Sequence, residues 1–271
     1  MAYLVVKCGG SVLEQLPKAF YENIVTLAKD YHVDPVIVHG GGPMVSSLLA
    51  DLDITTSFVD GMRVTTEPVL DVVEMVLSGS TNKHIVRNIQ VSEGNAIGLS
   101  GVDGGLLEAR RLSGTQHLGF VGEVTSVNTK LLKGMLAQGQ IPVISPIAAD
   151  RNGQRWNINA DLAAAAIAKA LNAPLYLITN VSGVLHNGDV IHQLNAEDVQ
   201  SMIESGDIYG GMIPKVQAAM QCLQQGIERV VILNGLTKDS LLYLADGKKI
   251  GTSITLHDKQ AMANEQKGGI L

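Results

Sequence analysis

Cysteine is scarce in this chain: Cys8 and Cys222 are the two thiols in 271 residues. With no C-x-x-C spacing they indicate neither a zinc site nor a disulfide framework, and so few thiols fit a reducing cytosol. An excess of positive charge is lacking as well. The formal net charge of −6 gives no general attraction to nucleic acid or to an anionic membrane, so any anion site must be a local arrangement. No apolar run approaches the roughly 20 residues that a bilayer span needs. The longest stretch, 162–168, is alanine-rich and is followed by Lys169. Met1 and Ala2 lead directly into Tyr3–Leu4–Val5–Val6, which has no basic n-region and is too short for a signal h-region. A soluble, cytoplasmic protein is expected. The seven histidines show no H-E-x-x-H or comparable ligand spacing, so no protein-held metal is expected. A P-loop, a G-x-G-x-x-G dinucleotide fingerprint and a G-x-S-x-G hydrolase elbow are all missing.

What is present is enough to build a large core. An apolar content of 46% and a positive mean hydropathy exclude disorder. The length admits one large domain or two fused lobes. Two glycine clusters stand out, Lys7–Cys8–Gly9–Gly10 and His39–Gly40–Gly41–Gly42–Pro43, with a further lysine far away at Lys215. Each cluster follows a short β-branched run, Tyr3–Val6 or Val36–Val38, and each precedes a helical pattern. Glycines there bring bare backbone N–H groups close to an anion, and the helix start behind them favours negative charge. Phosphate handling is the expectation.

Strand-like and helix-like segments alternate, which predicts an α/β fold with a mainly parallel sheet covered by helices on both faces. Phe20, Ile24 and Leu27 recur at helical spacing after Pro17, a first-turn proline, and Pro43 opens a helix running to Leu52. Val69, Val72, Val73, Val76 and Leu77 mark one helical face whose β-branched residues need packing to hold them. Residues 96–124 read as hairpin-like strands and a folded loop, with short runs at Ala96–Leu99 and Phe120–Val124 between glycine-rich turns. Further helices are expected over 131–137, 160–171 and 217–225, and after an Asn195 N-cap up to Gly206. Further strands are expected at 142–144, 175–179 and 230–233. Asn172–Ala173–Pro174 punctuates the pattern and sets a lobe boundary near residue 172. The segments 7–10, 39–43, 180–185 and 234–235 each follow a predicted strand, and ligands of open parallel sheets bind outside the strands' carboxyl ends. One crevice can therefore collect them. Each also has a plainer reading. A Gly-Gly pair is ordinarily a turn, Lys7 can snorkel from a strand end, Arg63 can be a solvated surface arginine, and Asn157–Asp161 can be a helix start with Asn159 or Ala160 near the cap.

Taken together the motifs resemble the acetylglutamate kinases of the amino acid kinase family, nearly end to end. The matching segments are Lys7–Gly10, His39–Pro43, Gly61–Thr65, Asn82–Lys83, GLSGVDGG at 98–105, Gly119–Val124, Asn157–Asp161 and GGMIPK at 210–215. The first two segments alone indicate only the wider family. The order G-x-R-V-T, N-x-N-A-D, GGMIPK is more specific.

The resemblance implies a three-layer α/β/α sandwich of the amino acid kinase fold. Residues 1–172 would form an acceptor-binding and dimerisation lobe, and 173–271 a nucleotide lobe. It implies phosphoryl transfer from ATP, with magnesium held by the nucleotide, to the side-chain carboxylate of N-acetyl-L-glutamate, the second step of arginine biosynthesis. Lys7 and Lys215 match the lysines that stabilise the transferring group, and Asp161 the aspartate that orients both. Gly9 and Gly10 match glycines that offer N–H groups to phosphates. For the acceptor, Gly41, Gly42, Arg63 and Asn157 are implied, with Asn159 beside them. For the nucleotide, Asn180, Val181, Ser182, Gly183, Val184 and Leu185 are implied, with Asp207, Ile208 and Tyr209. Asn180 departs from the aspartate common at its position, so a carboxylate role there is in doubt. Cys8 is expected to be filler. Arginine-inhibited members of the family form rings through an extra N-terminal helix. Only Met1 and Ala2 precede the expected first strand here, so a homodimer with little arginine inhibition is expected, although arginine sites also use residues near the C-terminus. A kinase for glutamate or aminoadipate on an acidic carrier protein needs a basic docking face, for which the net charge of −6 leaves little excess. A silent sensor on the same fold could dispense with Lys7, Asp161 or Lys215, all of which remain.

Overall fold

The β-branched runs form the interior of an eight-stranded sheet in a computed structural model that describes residues 2–256. Its strands are β1 (Ala2–Cys8), β2 (Val33–His39), β3 (Ala96–Ser100), β4 (Ile141–Ser145), β5 (Leu175–Thr179), β6 (Gln193–Asn195), β7 (Val230–Asn234) and β8 (Thr252–Thr255). The spatial order is β6-β8-β7-β5-β1-β2-β4-β3, parallel except for the β7–β8 pair. The expected α/β class with a mainly parallel sheet is what forms. β1 pairs with β2 on one side and with β5 on the other, so the sheet is continuous across residue 172. The tail over 257–271, where the expectation about a C-terminal arginine site partly falls, lies outside the described residues.

Alternation along β1 separates two cores. Val5 belongs to one cluster with Val36 and Val38, while Leu4 and Val6 belong to another with Ile37, because successive side chains leave a strand on opposite faces. The Ile37 face is covered by α1 (Lys18–Lys29) through Phe20, Ile24 and Leu27, and by Ile85 and Ile89 of the helix Asn82–Val91. Ile24 is fully buried, and its truncation to alanine would cost about 2–5 kcal/mol. The other face carries the alanine-rich helix Ala160–Leu171, with Thr129–Leu136 and Ile213–Gln224 beside it. Small alanines let this helix sit close over the central strands. The result is helix, sheet and helix in three layers.

Several local expectations need correction. Residues 96–100 are not half of a hairpin but a parallel edge strand of the main sheet, paired with β4. The hairpin lies further on, between Leu107–Arg111 and Val121–Val127, and it closes with Ile147–Ala149 and Arg155–Ile158 into a small four-stranded sheet. Phe120 precedes its strand. Pro17 is the N-cap of α1 rather than a residue of its first turn. The helix expected from 217 starts at Ile213, because Pro214 is admissible in a first turn where no N–H partner exists. The valine-rich helix continues as Glu67–Glu74, a π-helical segment Met75–Thr81, and Asn82–Val91 without a break. Ser80 Oγ donates to Val76 O at 3.2 Å, a back-bond that competes with the helical ladder in a weak Ser-Gly-Ser stretch. Such widened turns recur at functional sites.

Candidate active site

The parallel register brings the carboxyl ends of β1, β2 and β5 into line: Cys8 lies opposite His39 and Ile178. The turns that leave those strands therefore share one edge of the sheet, where two cavities open.

The first, of about 180 Å³, is lined by Gly41, Gly42, Arg63 and Asn157 as polar groups and by Val45, Val73, Leu77 and Ile158 as apolar wall. Its volume suits a small metabolite rather than a large ligand. Arg63 is largely buried, which removes it from the solvated-surface reading. Its Nη2 donates to Ser46 Oγ at 2.8 Å and to Gly42 O at 3.1 Å, and its guanidinium carbon lies 4.6 Å from the Phe58 ring centroid. Burial pushes its pKa down, yet a guanidinium stays charged at neutral pH. Asn157 Nδ2 donates to Thr65 Oγ1 at 3.1 Å, and that hydroxyl donates to Arg63 O at 2.9 Å. One hydrogen-bonded chain thus joins Arg155–Ile158 to the short Met62–Arg63 strand. Next in sequence to Trp156, Arg155 pairs with Asp71 at 2.7 Å and with Glu74, which pins the same strand to the valine-rich helix.

The second cavity, of about 230 Å³, is lined by Lys7, Gly9, Ser11, Asp161, Asn180 and Lys215, among others. Lys7 Nζ lies 2.8 Å from Asp161 Oδ1, so Lys7 is paired rather than snorkelling. Asp161, expected to orient both lysines, contacts Lys7 and not Lys215. Lys215, in the first turn of Ile213–Gln224, donates to Gly211 O at 2.9 Å instead. Asn159 is the N-cap of Ala160–Leu171 and accepts from the Asp161 and Leu162 amides, which fixes where Asp161 stands. Gly9 N–H donates to Ile178 O at 3.4 Å, so this amide is less open to a phosphate than expected. Gly10 begins the turn Gly10–Leu13, where an N–H has no partner inside the turn. That turn and the helix Gly42–Asp51 both start without a side-chain cap and without an acid in the first turn, which leaves their positive ends to an anion. Burial pushes the Cys8 and Cys222 thiols up to about 12, so both are inert filler.

The two cavities adjoin. Ala160 lines the first and Asp161 the second, and a Cβ placed on Gly10 would lie 2.9 Å from the nitrogens of both Gly41 and Gly42. Glycine is required at position 10 because backbone meets backbone there.

The remaining expected nucleotide residues are less well gathered. Of the segment from Asn180 to Leu185, Asn180 reaches the second cavity. Val181 N–H donates to Thr179 Oγ1, Val184 is buried with its N–H donating to Thr252 Oγ1, and Leu185 is exposed. Ser182 and Gly183 lie on the turn between them, Gly183 at φ +140° against Thr252. Asp207 accepts from Ser205 Oγ and lies 3.5 Å from His186 Nδ1. Ile208 is buried and Tyr209 exposed to solvent, and neither lines the cavity. Sequence reading gave no site role to Ser11, Thr179 and Pro214 in the second cavity or to Ser46, Phe58 and Thr65 around Arg63. Ser11, directly behind Gly9–Gly10, and Ser46, one turn behind Gly42, could have been found from their spacing.

Two adjoining cavities with cationic and amide linings, at the carboxyl edge of a parallel sheet, define an α/β enzyme that brings two anionic small molecules together. The chain belongs to the amino acid kinase family, whose model matches residues 2–234. It is 48% identical over 259 residues to the acetylglutamate kinase of Oceanobacillus iheyensis, which covers 94% of this chain and 97% of that protein. Among solved structures it is similar to smu.665 of Streptococcus mutans UA159, with a TM-score of 0.78, 29% identity, and 94% of this chain and 99% of that one covered. It is also similar to the N-acetylglutamate synthase of Neisseria gonorrhoeae complexed with coenzyme A and N-acetyl-glutamate, with a TM-score of 0.79 and 25% identity, over 95% of this chain and 60% of that one.

Proposed function

We propose that the protein is an acetylglutamate kinase, which transfers the γ-phosphoryl group of ATP to the side-chain carboxylate of N-acetyl-L-glutamate. The reaction is the second step of arginine biosynthesis. The observation that carries this reading is the junction of the two cavities at Gly10, Gly41 and Gly42, supported by relatives of that name matched over almost the whole chain. A carrier-protein substrate or a silent sensor has no such support.

A carboxylate that attacks a triphosphate brings like charges together, so the site must position and neutralise more than it must react. In this reading Arg63 holds the α-carboxylate through its charge and through the N–H groups that Ser46, Gly42 and Thr56 do not engage, and Asn157 holds the amide end. The apolar wall around Val45 and Leu77 takes the acetyl methyl. Gly41 and Gly42 offer N–H groups to the attacking carboxylate. An oxygen of that carboxylate forms the new bond to the γ-phosphorus while the bond to the bridging β,γ-oxygen breaks, and ADP leaves. Lys7 and Lys215 face the charge that builds on the transferring group and the bridging oxygen, Gly10 supplies an N–H as an oxyanion hole would, and Asp161 orients Lys7. Asn180 serves as a neutral hydrogen-bonding group on the nucleotide side. In the same reading the segments 181–185 and 207–209 contact the nucleotide.

Among the described residues no group of three or more His, Cys, Asp or Glu side chains is placed to hold a metal. The carboxylate at the crevice, Asp161, is engaged by Lys7. This donor set fits a magnesium ion carried by the phosphates and completed by water. Bound with ATP, magnesium neutralises phosphate oxygens.

The lobes 1–172 and 173–271, assigned to acceptor and nucleotide respectively, a homodimer formed through the first, and a cytoplasmic location belong to the same proposal. No described helix is long and apolar enough to cross a membrane. Trapping the product with hydroxylamine tests the chemistry: an acyl phosphate yields the γ-hydroxamate of N-acetylglutamate, formed only with ATP, magnesium and enzyme together. ADP formation without hydroxamate would contradict it.

A further inference from the structure

His39 ends β2 with its ring fully buried, outside both cavities and unused in the transfer just described. Its Nδ1 lies 2.9 Å from Gly40 O, and its Nε2 lies 3.2 Å from Asn82 Nδ2. A carbonyl only accepts, so Nδ1 carries a proton. The orientation of the Asn82 amide is fixed by other groups. Its Nδ2 also faces Val143 O at 2.9 Å and Leu99 O at 3.2 Å, while its Oδ1 accepts from Lys83 Nζ at 3.0 Å. The atom beside His39 is therefore an amide nitrogen, which shares its two protons among Val143 O, Leu99 O and Nε2 and can accept none, so an Nε2–H would find no acceptor there. A second ring proton would set N–H against N–H. Partners on both sides thus select the neutral ring with its proton on Nδ1. Burial, helped by the nearby Lys83 charge, acts against the imidazolium and outweighs the Gly40 hydrogen bond, which favours it.

We propose that His39 and Asn82 are positioning residues for the acceptor: they lock the Gly40–Gly41 peptide so that the Gly41 N–H meets the phosphoryl-accepting carboxylate. The inference deepens the kinase reading and rests on it. Backbone geometry supplies the link. In a trans peptide the C=O and N–H point opposite ways, and the described chain has no cis bond. The His39 grip on Gly40 O thus sets the direction of the Gly41 N–H. The Gly41 and Gly42 nitrogens border Gly10, where acceptor and donor cavities join. Asn82 is itself held rigidly. It begins the helix directly after the π-helical segment and fits between two strands because Gly98 opposite it has no side chain to overlap its amide oxygen. Asn82 therefore sets the ring, the ring sets the peptide, and the peptide sets the N–H.

Two replacements separate this role from mere packing. His39→Asn places an amide N–H where Nδ1–H stands, whereas His39→Leu keeps bulk and removes the donor. The KM for N-acetyl-L-glutamate should rise about tenfold in His39→Leu and within about threefold in His39→Asn, with the KM for ATP unchanged in both. Equal losses in both variants, or a rise in the ATP KM in step, would overturn the proposal. A readout that needs no substrate is ¹⁵N NMR of the wild-type ring. A neutral Nδ1–H tautomer held from about pH 5.5 to 8 is expected, and an Nε2–H tautomer or an imidazolium would overturn it. If the wild type fails to turn over N-acetyl-L-glutamate, the kinase reading falls and the acceptor-positioning role with it, whereas an Nε2–H tautomer in an active enzyme overturns the role of His39 alone.

Discussion

In the proposed transfer Lys7 and Lys215 carry charge where charge builds, and their removal should act on turnover. Lys7→Ala and Lys215→Ala should each lower kcat by about 10²–10³, with a much smaller change in the KM for N-acetyl-L-glutamate, read from steady-state kinetics. Near wild-type turnover in either variant would remove that lysine from the chemistry. In the same proposal Arg63 acts on binding instead. Its guanidinium already spends Nη2 on Ser46 and Gly42, and an ammonium cannot hold those contacts and a carboxylate together. Arg63→Lys should raise the acceptor KM about tenfold and leave the KM for ATP alone. His39 gives a pH signature of stability. Its pKa is lowered from 6.5 to about 4 by burial, with the Lys83 charge adding to the effect. The unfolded chain takes up a proton below about 6.5 that the folded chain refuses until about 4, so stability should fall as pH drops through that window. The loss amounts to about 3 kcal/mol at its lower end, and denaturant titrations of His39→Asn beside the wild type should show a flatter acid limb. At this scale the sequence made the motif residues legible, because lysines and glycines at strand ends follow from spacing alone. It did not show that Lys215 turns to Gly211 rather than Asp161, nor that Ser46 and Phe58 hold Arg63, because those contacts join residues 4 to 21 positions apart through a fold that spacing does not specify.

The elements place these residues through their ends. Ala160–Leu171 begins at the junction of the two cavities, and its Asn159 cap uses two of the free amides that helix starts carry. Asn159→Ala should lower the unfolding free energy by about 1 kcal/mol, whereas Asn159→Asp should keep most of it, as measured by denaturant unfolding. Helices with a cap and an apolar face were readable in the sequence: 160–171 and the Asn195-capped helix fall where expected, the latter with a full capping box to Asp198. Strand 175–179 also falls where expected, since a short buried apolar run between turn residues has few alternatives. Two elements were not readable, for different reasons. Ala96–Ser100 carries glycine and small residues like a hairpin strand, and its parallel pairing is decided by β4, some 40 residues away. The π-helical segment Met75–Thr81 has no signature in a 3.6-residue period. Its wider turn is selected by contacts such as Ser78 Oγ to Ser145 Oγ at 2.8 Å.

The whole molecule resolves the apparent conflict between an acidic protein and two anionic substrates. The net charge is −6, yet Lys7, Arg63 and Lys215 line one edge of the sheet, together with helix starts that carry no acid of their own. A local field of this kind needs no overall positive charge. The proposed homodimer should appear as twice the chain mass by light scattering, and a monomer at working concentration would remove that part of the proposal. Substrate choice tests the reading more directly than assembly does. The first cavity offers an arginine, an amide and a short apolar wall, a combination that fits an acylated glutamate and leaves a free α-ammonium facing Arg63 and apolar side chains. The decisive measurement is the initial rate of ADP release with N-acetyl-L-glutamate, glutamate, aspartate and aminoadipate in parallel, at equal concentration with ATP and magnesium. N-acetyl-L-glutamate should be turned over with a kcat/KM at least about 10²-fold above each of the others. Equal or better turnover of a free amino acid, or no turnover of N-acetyl-L-glutamate, would contradict the assignment.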